Sequence, residues 1–218
     1  INYKERDQKA YTREDIWIAN AQAVAGARSP KAGLQAMTNL TAPFDRDLMT
    51  VHWTKAGIFG NYVDGTHVRI AQVSMKGKIT PLELGVFTES GWHVSESGHV
   101  ALAGANATSF REVYLAEPAQ KQRPQRIQKL TDFGAQITGW ELGTVETIRW
   151  QSRDGTEIEG VLRTPADFNP KKKYPLVFVV HGGPNWYSAG DLLSFDDLHY
   201  YPSLQFNLKE VLVLKPNY

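Results

Sequence analysis

The sequence predicts a chain of two parts, a mainly β N-terminal part followed by an α/β part. Three observations support this prediction. Short strand patterns recur through residues 1–140, a β-hairpin pattern follows at 144–163, and the apolar run Leu176–Val180 then leads into His-Gly-Gly-Pro. Recurring short strands are typical of all-β assemblies, whereas an apolar strand, a glycine turn and a helical crossover are typical of a parallel sheet.

The composition is that of an ordinary globular protein. Hydrophobic residues make up 42% and charged residues 22% of the 218 residues. The formal net charge is +1, so there is no general electrostatic attraction to nucleic acid or to an anionic membrane. The absence of cysteine excludes disulfides, thiolate nucleophiles and zinc–thiolate sites, and it leaves the cellular compartment open.

The chain carries no targeting signal that we recognise. No apolar run has the length of a membrane span. The first seven residues resemble neither a signal peptide nor a natural start, so we expect an N-terminal truncation.

The N-terminal part repeats a unit of short strands. The strand patterns that contain Ile16, Val68 and Val113 follow one another at intervals of about 52 and about 45 residues, close to the length of a four-stranded propeller blade. We therefore predict that residues 1–140 form the C-terminal blades of a β-propeller, two blades and part of a third. The predicted strands are 15–19, 34–38, 48–53, 57–63, 66–73, 79–82, 86–88, 92–94, 99–103, 110–116 and 126–131.

Two local features complete the prediction for this part. The segment between the first two strands contains Gly26, Ser29, Pro30 and Gly33 and is predicted to be a loop. Four aromatic residues are predicted to pack between blades, namely Trp17, Trp53, Trp92 and Tyr114.

Residues 141–218 are predicted to form the N-terminal portion of an α/β-hydrolase domain. A hairpin over 144–163 precedes the strand Leu176–Val180, which is predicted to be buried on both faces because it contains no polar residue. Helical pieces follow within 192–206, with Pro202 at a helix start or break. A second buried strand at 210–214 is expected to run parallel to the first.

The turn after the apolar strand is the main candidate site. Gly182 and Gly183 can bring bare backbone N–H groups close to a ligand, and Pro184 restricts the turn. The combination resembles the oxyanion-hole turn of α/β-hydrolases. A tight structural turn after a core strand is the alternative, and these residues alone do not decide between the two.

The order of the motifs resembles the prolyl oligopeptidase family of serine peptidases, most closely its acylaminoacyl-peptidase and dipeptidyl-peptidase-like branch. The motifs are Gly-Val-Leu-Arg-Thr-Pro at 160–165, Lys-Tyr-Pro-Leu-Val-Phe-Val-Val-His-Gly-Gly-Pro at 173–184 and Val-Leu-Lys-Pro-Asn-Tyr at 213–218. The resemblance implies a β-propeller that caps an α/β-hydrolase domain and admits only short peptides to a buried Ser-Asp-His triad.

The resemblance also implies roles for individual residues. Gly183, with Gly182 shaping the turn, would supply a backbone N–H group to the oxyanion hole. His181 and Pro184 would position this loop, and Asn217 and Tyr218 would lead into a further turn beside the active site.

The sequence departs from the family in one decisive respect. It contains no Gly-x-Ser-x-Gly elbow, the motif that holds the nucleophile of α/β-hydrolases. The nearest segment, Trp186–Gly190, has Trp in place of the first glycine, so Ser188 is predicted to be an ordinary loop serine. We therefore predict no catalytic residue in this chain, which should be inactive alone, and a parent protein that hydrolyses short peptides without a cofactor.

Two other functions stay open at this point. A non-catalytic propeller protein could use the hydrolase remnant as a docking surface, and an esterase or lipase could use the same glycine turn. Whichever function holds, the two apolar strands of the C-terminal part need neighbours to bury both faces and would leave an open sheet edge, so we expect another polypeptide to complement the chain, or the chain to self-associate.

The remaining polar residues predict structure rather than chemistry. The carboxylates of Asp191, Asp196 and Asp197 are predicted to cap a helix. The histidines outside the glycine turn lack metal-ligand spacing, so no metal site is predicted; they are His52, His67, His93, His99 and His199.

Overall fold

The computed structural model describes residues 14–87, 91–118, 125–183 and 186–217. Within these ranges the chain is mainly β and forms one two-stranded sheet and three four-stranded sheets. Pro184 and Tyr218, two of the predicted site residues, lie outside the described residues.

The first sheet pairs β1 (Trp17–Ala19) antiparallel with β2 (Met37–Asn39). The loop predicted between them is wrong, because the structure has two short helices there, α1 (Ala21–Ala25) and α2 (Pro30–Gln35). The side chain of Asn20 accepts hydrogen bonds from the first turn of α1, and Ser29 does the same for α2. Both caps were visible in the sequence.

The next two sheets are antiparallel meanders whose strand order follows the chain. The first meander sheet contains β3 (Met49–Thr54), β4 (Gly57–Asp64), β5 (His67–Val73) and β6 (Ile79–Pro81). The second meander sheet contains β7 (Trp92–Val94), β8 (Val100–Asn106), β9 (Ser109–Ala116) and β10 (Ile127–Lys129). Of the strand predicted at 86–88, the described residues 86 and 87 show a single bridge, between Phe87 and Ala105, and Thr88 lies outside the described residues. These meanders have the strand number expected of propeller blades, and their assignment to a propeller stays a prediction.

One apolar cluster joins the two meander sheets. It includes Phe59 and Ile70 from the first and Val94 and Leu102 from the second. Trp92 and Tyr114 belong to this cluster, as predicted. For Trp17 and Trp53 the prediction is wrong, since their side chains are 51% and 66% exposed on strands at sheet edges.

The C-terminal sheet has the strand order β11-β12-β14-β13. Its strands are β11 (Thr144–Gln151), β12 (Glu157–Thr164), β13 (Leu176–Phe178) and β14 (Leu212–Asn217), with α3 (Phe195–His199) and α4 (Ser203–Leu208) in the crossover. The hairpin β11–β12 and the parallel pairing of β13 with β14 confirm the predictions. Pro202 immediately precedes α4, also as predicted.

The predicted burial of Leu176–Val180 on both faces is wrong. The strand β13 lies at the edge of its sheet, and Leu176, Phe178 and Val180 are 46%, 57% and 55% exposed. Only Val179 is buried. The three exposed residues alternate and so share one face of the strand, which no described element covers, whereas β14 lies between two strands and buries Val213 completely.

Candidate active site

The glycine turn begins at the carboxyl end of β13 and faces open space. Gly182 and Gly183 are exposed, and a Cβ atom added to either would meet no heavy atom of the described residues within 4 Å. Gly183 has φ +60°, in the left-handed region that favours glycine. As far as the described residues extend, the backbone at this turn is accessible and none of them fills the space beside the two Cα atoms.

The start of the turn is anchored in the fold. The backbone N–H of Val179 donates to the carbonyl of Leu214 at 2.9 Å, which extends the parallel pairing beyond β13. The imidazole of His181 is buried, and its Nδ1 atom lies 3.4 Å from the carbonyl oxygen of Gly182. The positioning role of His181 stays a prediction.

A buried stretch without regular secondary structure follows, and we call residues 188–194 the buried segment. All seven residues are buried, and none of them belongs to a helix or strand. Ser188 itself is 2% exposed. The assignment of Ser188 as an ordinary loop serine stays a prediction.

Asn217, the last residue of β14, holds the start of the buried segment. Its Oδ1 atom accepts a hydrogen bond from the backbone N–H of Ser188 at 2.6 Å. Its Nδ2 atom donates to the carbonyl of Ser188 at 3.4 Å and to the carbonyl of Gly65 at 3.3 Å. Gly65 lies in the turn between β4 and β5, so Asn217 connects the C-terminal sheet, the buried segment and the first meander sheet.

The meander sheets hold the middle of the buried segment. The N–H of Gly190 donates to the carbonyl of Thr66 at 2.8 Å, and the N–H of Leu192 donates to the carbonyl of Asn106 at 2.8 Å. The carboxylate of Asp191 pairs with Arg111 of β9 at 3.4 Å. The capping role predicted for Asp191 is therefore wrong, because this residue lies before the N-cap of α3 and points to another sheet.

A buried ionic cluster holds the end of the segment. The carboxylate of Asp197 lies 3.2 Å from the guanidinium of Arg163 and 2.5 Å from the ammonium of Lys215, and all three side chains are at most 3% exposed. Asp197 also forms a capping box with Ser194, which confirms its predicted capping role. Burial alone would raise the pKa of Asp197, but Lys215 and Arg163 lower it to about 2.

The sequence prediction missed both cations of this cluster. A signal was nevertheless present, because Lys215 follows the apolar run Val211–Leu214, and a lysine there requires a buried partner. Arg163 gave no comparable signal. It lies on an alternating hairpin strand, where the sequence pattern does not reveal which face is turned toward solvent.

The histidines do not form a metal site among the residues that the structure describes. The rings of His52 and His93 are 4.7 Å apart at the edge between the meander sheets, and burial, followed by the proximity of His93, lowers the pKa of His52. Across the part of the chain that the structure describes, no group of three or more His, Asp or Glu residues could hold a metal ion. In the same residues no helix combines the length and hydropathy needed to cross a membrane.

Comparison with known proteins supports the predicted resemblance. No family model matches the sequence. The dipeptidyl-peptidase 5 of Aspergillus fumigatus is 25% identical over 158 residues, which cover 68% of this chain and 21% of that protein. A probable dipeptidyl-aminopeptidase B of Botryotinia fuckeliana is 58% identical over 31 residues, only 14% of this chain and 3% of that protein.

Solved structures resemble the fold. The acylaminoacyl peptidase of Pyrococcus horikoshii superposes with a TM-score of 0.62 at 18% identity. The superposition includes 84% of this chain and 27% of that structure. A prolyl endopeptidase structure gives a TM-score of 0.61 at 13% identity and covers 96% of this chain, which matches 29% of it. The chain thus resembles prolyl oligopeptidase-family peptidases, and it spans between a thirtieth and a third of the length of these proteins.

Proposed function

We propose that this chain is part of a serine peptidase of the prolyl oligopeptidase family and that its glycine turn supplies the oxyanion hole. The observation that carries the proposal is the open turn at Gly182–Gly183, placed at the carboxyl end of a parallel strand in a sheet of order β11-β12-β14-β13. Ligand sites of open α/β sheets lie at the carboxyl ends of their strands. The similarity to dipeptidyl and acylaminoacyl peptidases supports the same assignment.

In this proposal the backbone N–H of Gly183 donates to the carbonyl oxygen of the scissile peptide bond. A serine oxygen attacks the carbonyl carbon while its proton passes to a histidine, and negative charge develops on the oxygen that Gly183 faces. Loss of one such donor raises the barrier by about 2.7–4 kcal/mol. The positive φ of Gly183 turns the chain away directly after this N–H, in a conformation that a residue with a Cβ atom adopts only at a cost.

The serine, aspartate and histidine would come from polypeptide outside these 218 residues. The sequence contains no serine elbow, and the described Ser188 is buried. The chain would thus contribute the oxyanion turn and part of the cover of the site, but it would not hydrolyse peptides alone. The meander sheets, as propeller blades, would restrict access to short peptides.

The proposal is tested with a fluorophosphonate probe, which labels activated serines, and with dipeptidyl and acylaminoacyl chromogenic substrates. A longer polypeptide that contains this chain should be labelled and should hydrolyse the peptide substrates faster than matched p-nitrophenyl esters. The 218-residue chain should be neither labelled nor active. Labelling of the 218-residue chain that Ser188→Ala abolishes would refute the placement of the nucleophile.

The ester comparison separates the proposed peptidase from an esterase with the same turn. Faster turnover of esters by the longer polypeptide would favour the esterase. Absence of both labelling and turnover in that polypeptide would contradict a catalytic function.

A further inference from the structure

The two meander sheets meet along β3 and β7, where two histidines face each other. The imidazole of His52 on β3 lies 4.7 Å from that of His93 on β7, measured between ring centres. The ring of Trp92 lies 4.6 Å from that of His52 and belongs to the apolar cluster that joins the sheets. Farther along the same junction, the N–H of Lys55 donates to the carboxylate of Glu96 at 2.9 Å. The histidine pair therefore lies at the contact between the sheets.

The surroundings of His52 favour its neutral form. Its Nε2 atom is buried and has no hydrogen-bond partner among the described residues, and the same holds for the indole Nε1 atom of Trp92. Protonation of His52 thus places a charge and a further donor beside a donor that is already buried and unpaired. Burial lowers the pKa of His52 most and the nearby His93 lowers it further, whereas a backbone hydrogen bond with Trp92 raises it.

Among the described residues, no carboxylate forms an ion pair with either imidazole. The strands β3, β4, β7 and β8 contain one acidic residue, Asp64, which lies at the far end of β4 and pairs with Arg69 at 2.8 Å. In the turns that follow β3 and β7, Glu96 accepts from the N–H of Lys55, and the ring of His99 bonds a serine of its own turn. Two protonated imidazoles would therefore repel each other, and Lys55 and a protonated His99 would add to the positive charge nearby.

We propose that His52 and His93 form a pH-sensitive contact, which holds the two meander sheets together near neutral pH and loosens their junction when the rings become protonated. This inference is separate from the proposed function, because it concerns no step of hydrolysis.

The pH range of the effect follows from the direction of the pKa shift. The pKa of His52 is lower in the folded protein than its ordinary value of 6.5, so the stability that the neutral ring provides is present above pH 6.5 and is lost as the pH falls from there through the folded-state pKa. The contribution of Asp197 is lost only below pH 3.8, so the two effects occur in separate pH ranges.

Three variants of the longer polypeptide test this inference. His52→Gln and His93→Gln each replace one ring by a side chain that does not titrate. His93 is exposed, so His93→Gln should fold as the wild type does. His67→Gln is the matched control, because burial, followed by Arg69, lowers the pKa of His67 as well, but the ring of His67 contacts Phe87 instead of a second histidine.

The measurement is amide hydrogen exchange with mass spectrometry at about pH 7.5 and about pH 5, corrected for the intrinsic dependence of exchange on pH. In the wild type the protection of β3 and β7 should fall by about fivefold or more between the two pH values, while β12 and β14 stay protected. The fall should be smaller in His93→Gln and smallest in His52→Gln, because burial shifts the pKa of His52 more than His93 does. His67→Gln should match the wild type at β3 and β7.

The midpoint of the acid-induced change distinguishes titration of the pair from a purely structural role. In the wild type it should lie below pH 6.5, and in His93→Gln it should move toward 6.5, because the neighbouring ring no longer lowers the pKa of His52. A fall in protection as large in His93→Gln as in the wild type, or a midpoint that does not move, would overturn the inference.

The wild type alone can also refute the inference. Full protection of β3 and β7 at about pH 5 would do so, as would a loss that extends equally to β14, since that pattern indicates global unfolding. If His52→Gln does not fold, His93→Gln and His67→Gln still supply the comparison with the wild type.

Discussion

Replacement of Asp197 by Asn should destabilise the protein strongly. The carboxylate is the only acidic group among the described residues that pairs with Arg163 and Lys215, and all three side chains are nearly inaccessible to water. Asp197→Asn keeps the shape of the side chain but leaves two buried cations without a counter-charge. Removing one partner of a buried ion pair costs about 3–5 kcal/mol.

The lowered pKa of Asp197 determines how the stability that this ion pairing provides depends on pH. A decrease from 3.8 to about 2 corresponds to about 2 kcal/mol at neutral pH, since one pKa unit is worth about 1.4 kcal/mol. Because the folded-state pKa is the lower one, this contribution is fully present above pH 3.8 and is lost as the pH falls toward 2. The variant loses more than this amount, because it also leaves both cations buried and unpaired.

Thermal and urea unfolding measure the effect. Between neutral pH and pH 2 the carboxylate of the wild type becomes protonated, and the wild type loses the stability that Asp197→Asn lacks at every pH. The difference in unfolding free energy between the two proteins should therefore shrink on acidification. At neutral pH, Tm should fall by about 6–20 °C, given about 2–4 °C per kcal/mol for a chain of this size. Asp196→Asn, in the same first turn of α3, is the control and should cost less than about 1 kcal/mol.

Rescue provides the decisive comparison. Adding Lys215→Met to Asp197→Asn removes one of the orphaned cations and should restore part of the lost stability. If Asp197→Asn is no less stable than Asp196→Asn, or if Lys215→Met makes it additively worse, the buried pairing is not what stabilises this region.

Two further predictions concern the turn and the sheet edge. Gly183→Ala and Gly155→Ala should each cost about 1–2 kcal/mol of stability, because both glycines have positive φ and no described heavy atom near the added Cβ. Only Gly183→Ala should lower kcat of the parent protein, by at least about tenfold. Equal activity of the two variants would contradict the oxyanion role. The 218-residue chain should self-associate through the exposed edge of β13, and Phe178→Lys should reduce this association in light scattering, whereas a monodisperse wild-type monomer would contradict it.

Local patterns in the sequence were sufficient to predict most strands. Alternation on both sides of Asp154-Gly155 identified the hairpin β11–β12, whose turn requires the positive φ of Gly155. The two helices after β1 were missed because five and six residues give no periodic signal, although Asn20 and Ser29 are good N-caps. The burial of Leu176–Val180 was misjudged. An apolar run indicates that a strand has apolar side chains to bury, but it does not indicate whether another element lies beside the strand to cover them.

The candidate site was predicted only in part. His-Gly-Gly-Pro is a local motif, so its position after β13 could be derived from the sequence. The hydrogen bonds that hold the chain after this motif could not be derived from the sequence, because Asn217 bonds a backbone carbonyl, that of Gly65, which is 152 residues away in the chain. Any residue can present a carbonyl, so no side-chain pattern marks such a partner.

The strand β14 explains how stability and the candidate site are connected. Alternate residues of a strand share a face, and Val213, Lys215 and Asn217 are such a set. Val213 is completely buried, Lys215 bonds Ser194 at one end of the buried segment, and Asn217 bonds Ser188 at the other. One face of β14 therefore holds the buried segment at both ends, which accounts for a lysine inside a buried strand. The ionic cluster anchors the far end independently of the meander sheets, whereas the end nearest the glycine turn shares the side chain of Asn217 with the turn between β4 and β5.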